Sequence, residues 1–311
     1  MSLRLATWNI NSVRLRIELV GAFLDIHGPD ILCLQEIKCP ADAFPAAAFR
    51  KRGYRHIALN ARKGYHGVAI VSKVPFLRTT AREFCGKDDA RHIAVAIADG
   101  DDELVLHNFY VPAGGDEPDP LVNPKFAHKL AFLDEMRGWL NGTAVARLAI
   151  LVGDLNVAPL EHDVWSHRQM LRVVSHTPAE TDSLQRLRAA GEWVDAMRTF
   201  VPPDRKLYTW WSYRARDWTA SDRGRRLDHV WVTPKLRSRL AGIDVLREAR
   251  GWRQPSDHVP VVVSLAARPD PSRSRQASIE PPRARSSFPA NARPAGNGAA
   301  RRPADIPGSS A

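Results

Sequence analysis

An α/β fold with mixed or antiparallel sheets is what this sequence predicts, on two observations. Strand-like runs recur at 3–8, 30–35, 55–59, 67–72, 92–98, 103–110, 147–153, 227–232, 243–247 and 259–265. Helical periodicity lies between some of them, at 13–27, 43–51, 123–140 and 180–190. Helices flank strands throughout, yet several strands follow one another through short turns. A purely parallel, doubly wound sheet needs a crossover between every pair of strands, so the sheets here are mixed. Neither an internal repeat nor a glycine-rich phosphate loop is present.

Each element has a local reason. The first run ends in Ala6-Thr7-Trp8-Asn9-Ile10-Asn11, where two amides close an apolar strand. The helix expected at 13–27 places Leu15, Leu19, Phe23 and Ile26 on one face. Ile31-Leu32-Cys33-Leu34-Gln35-Glu36 closes a second strand on a carboxylate, with Cys33 as a small core residue. The strand through Leu104 and Leu106 alternates and leads to Tyr110, and the helix after it carries Lys125 and Lys129 four residues apart, as a solvated face or as phosphate contacts. Leu148-Ala149-Ile150-Leu151-Val152 drives straight into Gly153-Asp154-Leu155-Asn156-Val157-Ala158-Pro159. Of the adjacent Trp210 and Trp211, which point opposite ways, one must be buried.

Composition narrows the class. The last 44 residues, 268–311, hold eight prolines, eight arginines and seven serines but almost no large apolar residues. Such a segment cannot bury enough surface to offset its ordering entropy, so a disordered basic tail is expected after a single folded body at 1–267. The chain's net charge of +11 favours a polyanionic partner. Three cysteines, Cys33, Cys39 and Cys85, show no framework spacing, which suits a reducing compartment. The first strand begins by Leu3 with no leader-like stretch before it, and no apolar run approaches the ~18 residues that cross a bilayer. A cytoplasmic, monomeric protein without a membrane partner is expected.

The chemistry gathers at strand ends. Asp154 and Asn156 are two apart, so in extended backbone they point to the same side. A carboxylate there can hold a hard cation or take a proton from water, and a carboxamide can donate to a phosphoryl oxygen. Glu36 is a second strand-end carboxylate and the best candidate metal ligand, with Asn9, Asp154, Asn156 and Asp257 able to complete the shell. Mg²⁺ suits so few carboxylates, with Mn²⁺ as a substitute. Asp228 opens one strand, and Ser256-Asp257-His258 precedes another. No cysteine or His-x-His cluster supports structural zinc.

These blocks together resemble the exonuclease III family of apurinic/apyrimidinic (AP) endonucleases, within the endonuclease/exonuclease/phosphatase superfamily. The matching segments are Trp8–Arg14, Leu34–Lys38, His66–Ile70, Asn108–Gly114, Gly153–Pro159, Thr209–Arg214, Arg226–His229 and Ser256–Val261. The resemblance spans residues 3 to about 266. It implies a four-layer α/β sandwich of two packed mixed sheets with outer helices, DNase I-like, with the site at one end. It places Glu36 as metal-binding carboxylate, with Asn9, Asp154, Asn156, Asp257 and His258 around one or two cations. It pairs Asp228 with His258, brings the Tyr110 hydroxyl to the phosphate, lays Arg91 along the DNA backbone, and makes Trp210 and Leu227 the walls of a slot for a sugar without its base. Asp154 is assigned to orient and deprotonate the water, with His258 open as the formal base instead.

The implied activity is Mg²⁺-dependent phosphodiester hydrolysis on double-stranded DNA: 3′-to-5′ exonuclease, AP endonuclease and 3′-end cleaning. A secreted DNase or a phospholipid or inositol phosphatase of the same superfamily is disfavoured by the Tyr110-Val111-Pro112-Ala113-Gly114 block. A non-catalytic nucleic-acid-binding regulator on the same scaffold would have lost a ligand, and none of these residues is missing. One departure stands out: Ser212 occupies a position where many family members carry Asp, and a long charged loop follows at 215–225.

Overall fold

The computed structural model describes residues 2–64, 66–142 and 148–268. In chain order the elements are β1 (Leu3–Asn9), α1 (Ile17–His27), β2 (Ile31–Gln35), α2 (Ala46–Arg50), β3 (His56–Asn60), β4 (Val68–Ser72) and β5 (Arg78–Thr80). There follow β6 (His92–Asp99), β7 (Asp102–Tyr110), α3 (Pro124–Gly142), β8 (Ala149–Asp154), α4 (His167–Met170), α5 (Pro178–Ala190), β9 (Val194–Asp195) and α6 (Ala196–Phe200). The last are β10 (Trp210–Trp211), α7 (Trp218–Ser221), β11 (Gly224–Arg225), β12 (Asp228–Val232), β13 (Leu240–Val245) and β14 (Val261–Leu265). The tail expected at 268–311 lies, beyond Arg268, outside the described residues.

Two six-stranded sheets carry the fold, ordered β13-β14-β1-β2-β4-β3 and β5-β6-β7-β8-β12-β9. Each has one parallel pair, β1 with β2 and β7 with β8, and is otherwise antiparallel. Both sheets are therefore mixed, as the short connections require.

Period-two patterning makes the layers. Leu5, Cys33, Ile70 and Val263 of one sheet meet Val95, Leu106, Ile150 and Val230 of the other in a core between the sheets. The alternate residues face outward: Ala6, Trp8, Leu32 and Leu34 pack with Val20, Phe23, Leu24 and Phe49 of α1 and α2. On the far side Phe109, Leu151 and Trp231 pack with Phe132, Leu133 and Met136 of α3 and Leu184 and Leu187 of α5. Helix, sheet, sheet and helix form the four-layer sandwich. Because both faces of each sheet are covered, the central strands are buried throughout.

One expected helix differs. The segment after β1 does not turn helical at residue 13; Ser12 and Val13 donate to the carbonyls of Glu36 and Ile37, prolonging the β1–β2 ladder. Helix α1 starts at Ile17, and of the expected face Leu19 and Phe23 pack inward, joined by Val20 and Leu24, whereas Leu15 and Ile26 are exposed. Long-range backbone bonding overrode the local periodicity.

Candidate active site

Strand register assembles the site. Tyr110, Asp154 and Asp228 are cross-strand partners on β7, β8 and β12, so they stand at one level of the second sheet. Val152 and Val230, two residues away on their strands, lie in the core between the sheets. Asp154 and Asp228 consequently point the same way, at the end of that core. From the first sheet, Asn9 ends β1 beside Gln35, and Glu36 follows. His258 precedes β14, anchored by Trp8 Nε1 donating to its carbonyl at 3.0 Å and by its own amide donating to Ser256 Oγ at 3.2 Å.

The chain turns sharply at these strand tips. Glu36 (φ 51°) and Asn156 (φ 54°) adopt the left-handed backbone that non-glycine residues rarely take. Gly153 has φ 137°, and a Cβ there would lie 1.9 Å from the Phe109 carbonyl oxygen. Only glycine allows β8 to pass so close to β7 as it delivers Asp154.

The side chains form one connected line. Asn9 Nδ2 donates to Glu36 Oε1 and Asp154 Oδ2, both at 2.9 Å. Asp154 also accepts from the Asn156 amide at 3.0 Å and Asn156 Nδ2 at 3.2 Å. His258 Nε2 stands 3.6 Å from Asp154 Oδ2, and its Nδ1 is 2.8 Å from Asp228 Oδ2. Glu36 and His258, from opposite ends of the chain, thus share one site.

Electrostatics divide the roles. Burial works against the imidazolium of His258, but Asp228 and Asp154 outweigh it and raise its pKa to about 10. Burial pushes Asp154 up to about 7, with His258 pulling down and Asp228 pushing up. Burial, with Glu36 and Asp154 nearby, raises Tyr110 well above an ordinary phenol. Tyr110 therefore stays a neutral donor.

The donor set fits a hard divalent cation. Two carboxylates from different strands reach one amide nitrogen, and the neighbouring donors are oxygens. Glu36 and Asp154 would hold the ion, with Asn9 between them; Lys38 Nζ, 2.8 Å from Glu36 Oε2, fills part of that charge demand. Donor atoms of Asp154, Asp228 and His258 also lie within 4.8 Å of one another, but the imidazole there is already paired with Asp228. Asp257, next to His258, accepts from Asn11 Nδ2 at 3.1 Å and Trp210 Nε1 at 3.0 Å.

Residues 6–258 match the endonuclease/exonuclease/phosphatase family. The chain belongs to that family. It is 29% identical over 269 residues to exodeoxyribonuclease III of Haemophilus influenzae, spanning 83% of this chain and 98% of that one. An AP endonuclease from Archaeoglobus fulgidus superposes with a TM-score of 0.77 at 31% identity, covering 85% of this chain and 99% of that one. A 3′ phosphatase from Neisseria, solved with a product DNA hairpin, gives 0.77 at 29% identity over 85% of this chain and 99% of its own. Within the family these likenesses put the chain in the exonuclease III branch of AP endonucleases.

In this family member the site opens into a cleft of about 630 Å³. Glu36, Asp154, Asn156, Asp257 and His258 line one part of it, and Trp165, Met170, Val173, Trp210 and Leu227 another. Leu227 is packed with Ala158, Val164 and Met170, while Trp210 is half-buried beside them and Trp211 is fully inside. Ser212, Arg214, Arg223 and Arg225, all from 212–225, also reach the cleft.

Two residues occupy places other than those expected. Arg91 does not present a free cation to solvent: it is buried, paired with Asp89, and stacked 4.8 Å over the Tyr110 ring with Nη1 on the Tyr110 carbonyl at 3.3 Å. It reaches the site through Tyr110. Lys129 is neither a solvated face nor a phosphate contact. It is fully buried against Glu180, and its Nζ donates to the carbonyls of Asn156 at 2.7 Å and Ala113 at 3.2 Å. That strut ties the tip of β8 to the loop after β7. Glu180 is legible as the fourth residue of a Thr177-Pro178-Ala179-Glu180 capping box, but its second role is not. Asn108 is a further unforeseen tie: from β7 it donates across the sheets to the carbonyls of Leu34 and Ala69 and accepts from Gln35. An amide inside an apolar strand was its signal.

Proposed function

We propose that this protein is a DNA repair nuclease that hydrolyses phosphodiesters beside abasic sites and at 3′ ends, with Mg²⁺ as its cation. The observation that carries this reading is the unbroken line Glu36–Asn9–Asp154–His258–Asp228 beside a cleft with one aromatic wall. A scaffold that had lost catalysis would have lost a ligand, yet Glu36, Asp154, Asn156, Asp228, Asp257 and His258 are all present.

Each residue has a task in an in-line displacement. Asp154, aligned by Asn9 and Asn156, takes a proton from the attacking water. The water oxygen bonds to phosphorus while the bond from phosphorus to the 3′ oxygen breaks, and the electron pair leaves on that oxygen as it gains a proton. His258, held charged by Asp228, donates from Nε2 to a phosphoryl oxygen, and Tyr110 donates its hydroxyl to the same centre. Glu36 and Asp154 would hold a divalent cation, which would supply neutralisation of the negative charge that develops during the displacement. Trp210 and Leu227 offer an apolar slot to an extrahelical sugar that has no base to unstack.

A duplex with one tetrahydrofuran abasic analogue, and a second with a recessed 3′ end, test this directly. Incision and trimming are expected with Mg²⁺ and absent with EDTA, and Glu36→Gln should raise the Mg²⁺ concentration needed for half-maximal rate. Cleavage undiminished in EDTA would overturn the metal-dependent reading.

A further inference from the structure

We propose that His167 and His176 form a second metal site, for a borderline transition-metal ion such as Zn²⁺, which clamps one wall of the cleft. Neither histidine takes part in the reaction described above, so the site stands independently of the nuclease reading.

Eight residues lie between the two histidines, more than the close spacing that marks a zinc motif. Folding brings them together. Helix α4 begins at His167, and turns follow it: the Val173 amide donates to the Met170 carbonyl at 2.9 Å and the His176 amide to the Val173 carbonyl at 3.1 Å. His167 Nδ1 and His176 Nε2 then face each other at 2.7 Å, with their rings 81° apart.

The surroundings fix the protons of this pair. His176 is buried, and its Nδ1 lies 2.5 Å from the Ala158 carbonyl oxygen, which can only accept. Nδ1 therefore carries the hydrogen, and burial lowers the pKa of the ring, so Nε2 keeps its lone pair. A metal-binding histidine is held in the same way, with its other N–H on a backbone carbonyl. The bond between the rings is only part-buried and His167 is exposed, so an ion reaches the pair from solvent. As it binds, His167 releases the Nδ1 proton and takes one at Nε2, leaving both rings neutral. Two imidazole nitrogens on a tetrahedral Zn²⁺ stand roughly 3.3 Å apart, so the exposed ring has to shift only slightly. Among the described residues no third His, Cys, Asp or Glu joins the pair within 4.8 Å, and water completes the shell. Two imidazoles without a carboxylate favour Zn²⁺ over Mg²⁺.

The chain between the ligands is part of the cleft. Met170, Val173, Val174 and Ser175 line it, Met170 packs with Leu227, and the Ser175 carbonyl accepts from the Ala158 amide at 2.7 Å. An ion joining residue 167 to residue 176 closes that segment into a loop and holds the wall in place.

Long-range ¹H–¹⁵N spectra of the full chain, stripped of metal and then kept in saturating Mg²⁺, follow the two rings directly. Added Zn²⁺ should shift His167 Nδ1 and His176 Nε2 and move the His167 proton to Nε2. Equilibrium dialysis should find one Zn²⁺ fewer on His167→Ala than on wild type, whatever zinc the catalytic carboxylates take up in both. With free Zn²⁺ at about ten times its Kd, amide exchange over 168–176 should slow about tenfold in wild type and stay unchanged in the variant. Unshifted rings, or equal Zn²⁺ on wild type and His167→Ala, would overturn the site. Zn²⁺ held by both rings with no slowing of exchange would overturn the clamp.

Discussion

Two buried charge clusters stand two residues apart at the start of β12, and they are built to opposite ends. Arg226 is fully buried and closed: Nε and Nη2 bond Asp163 at 2.8 and 2.9 Å, and Nη1 bonds Asp195 at 2.8 Å. Arg198 adds a second cation on Asp163, so two carboxylates meet two guanidiniums. Burial pushes the Asp195 carboxyl up, but Arg226 outweighs it and holds it below the usual range. Around Asp228 the balance is left open. Asp154 and Asp228 share one imidazole, Glu36 has Lys38, and Asp228 Oδ1 is buried with no partner among the described residues. There Asp154 is pushed up rather than down. The same residue types give architecture where the buried charges balance, and reactivity where they do not.

Substitution should separate the two clusters most sharply. Asp154→Asn is expected to lower kcat by roughly 10²–10⁴-fold, the range of general acid–base catalysis, without lowering the melting temperature. Asp163→Asn strands a buried guanidinium and should cost about 3–5 kcal/mol of stability, read by denaturant unfolding. A wild-type rate for Asp154→Asn, or a wild-type melt for Asp163→Asn, would erase the contrast.

The pH profile is the next test. The rate needs Asp154 ionised, so it should rise as pH climbs through about 7, and needs His258 protonated, so it should fall near about 10. Bound cation favours the carboxylate and moves the acid limb lower. Asp228→Asn removes the largest of the carboxylate contributions to the imidazolium, and the alkaline limb of kcat/KM should shift to lower pH. An unmoved limb would mean that Asp228 does not govern His258.

The smallest expected effect on activity belongs to Lys129, which joins the architecture to the chemistry. Burial lowers its pKa while Glu180 opposes the shift, and its Nζ holds the carbonyl of left-handed Asn156. Lys129→Met should lower kcat about tenfold, as Asn156 loses its fixed position, with a smaller change in KM for DNA. A change confined to KM would place Lys129 in substrate binding instead.

The strands that carry the site were legible because their signals are local. Apolar runs that stop at Asn9, Glu36 and Asp154 announce both a strand and its chemical tip, and β8 ends in a glycine that its close approach to β7 demands. The two- and three-residue strands β5, β9, β10 and β11 are too short to show periodicity: β5 and β9 exist because longer strands offer them an edge, and β10 and β11 because each pairs with the other. Those short pieces bring Trp210 and Arg225 to the cleft.

By itself, then, the sequence determined which side chains stand at strand tips, since period-two alternation and strand termination depend on neighbours along the chain. Tertiary structure alone decided that Arg91 lies beneath Tyr110, that Lys129 is a buried strut and that His258 carries its proton. Each of those outcomes depends on burial and on charges contributed by segments far apart in sequence, and desolvation and Coulomb energy are set by distances in space.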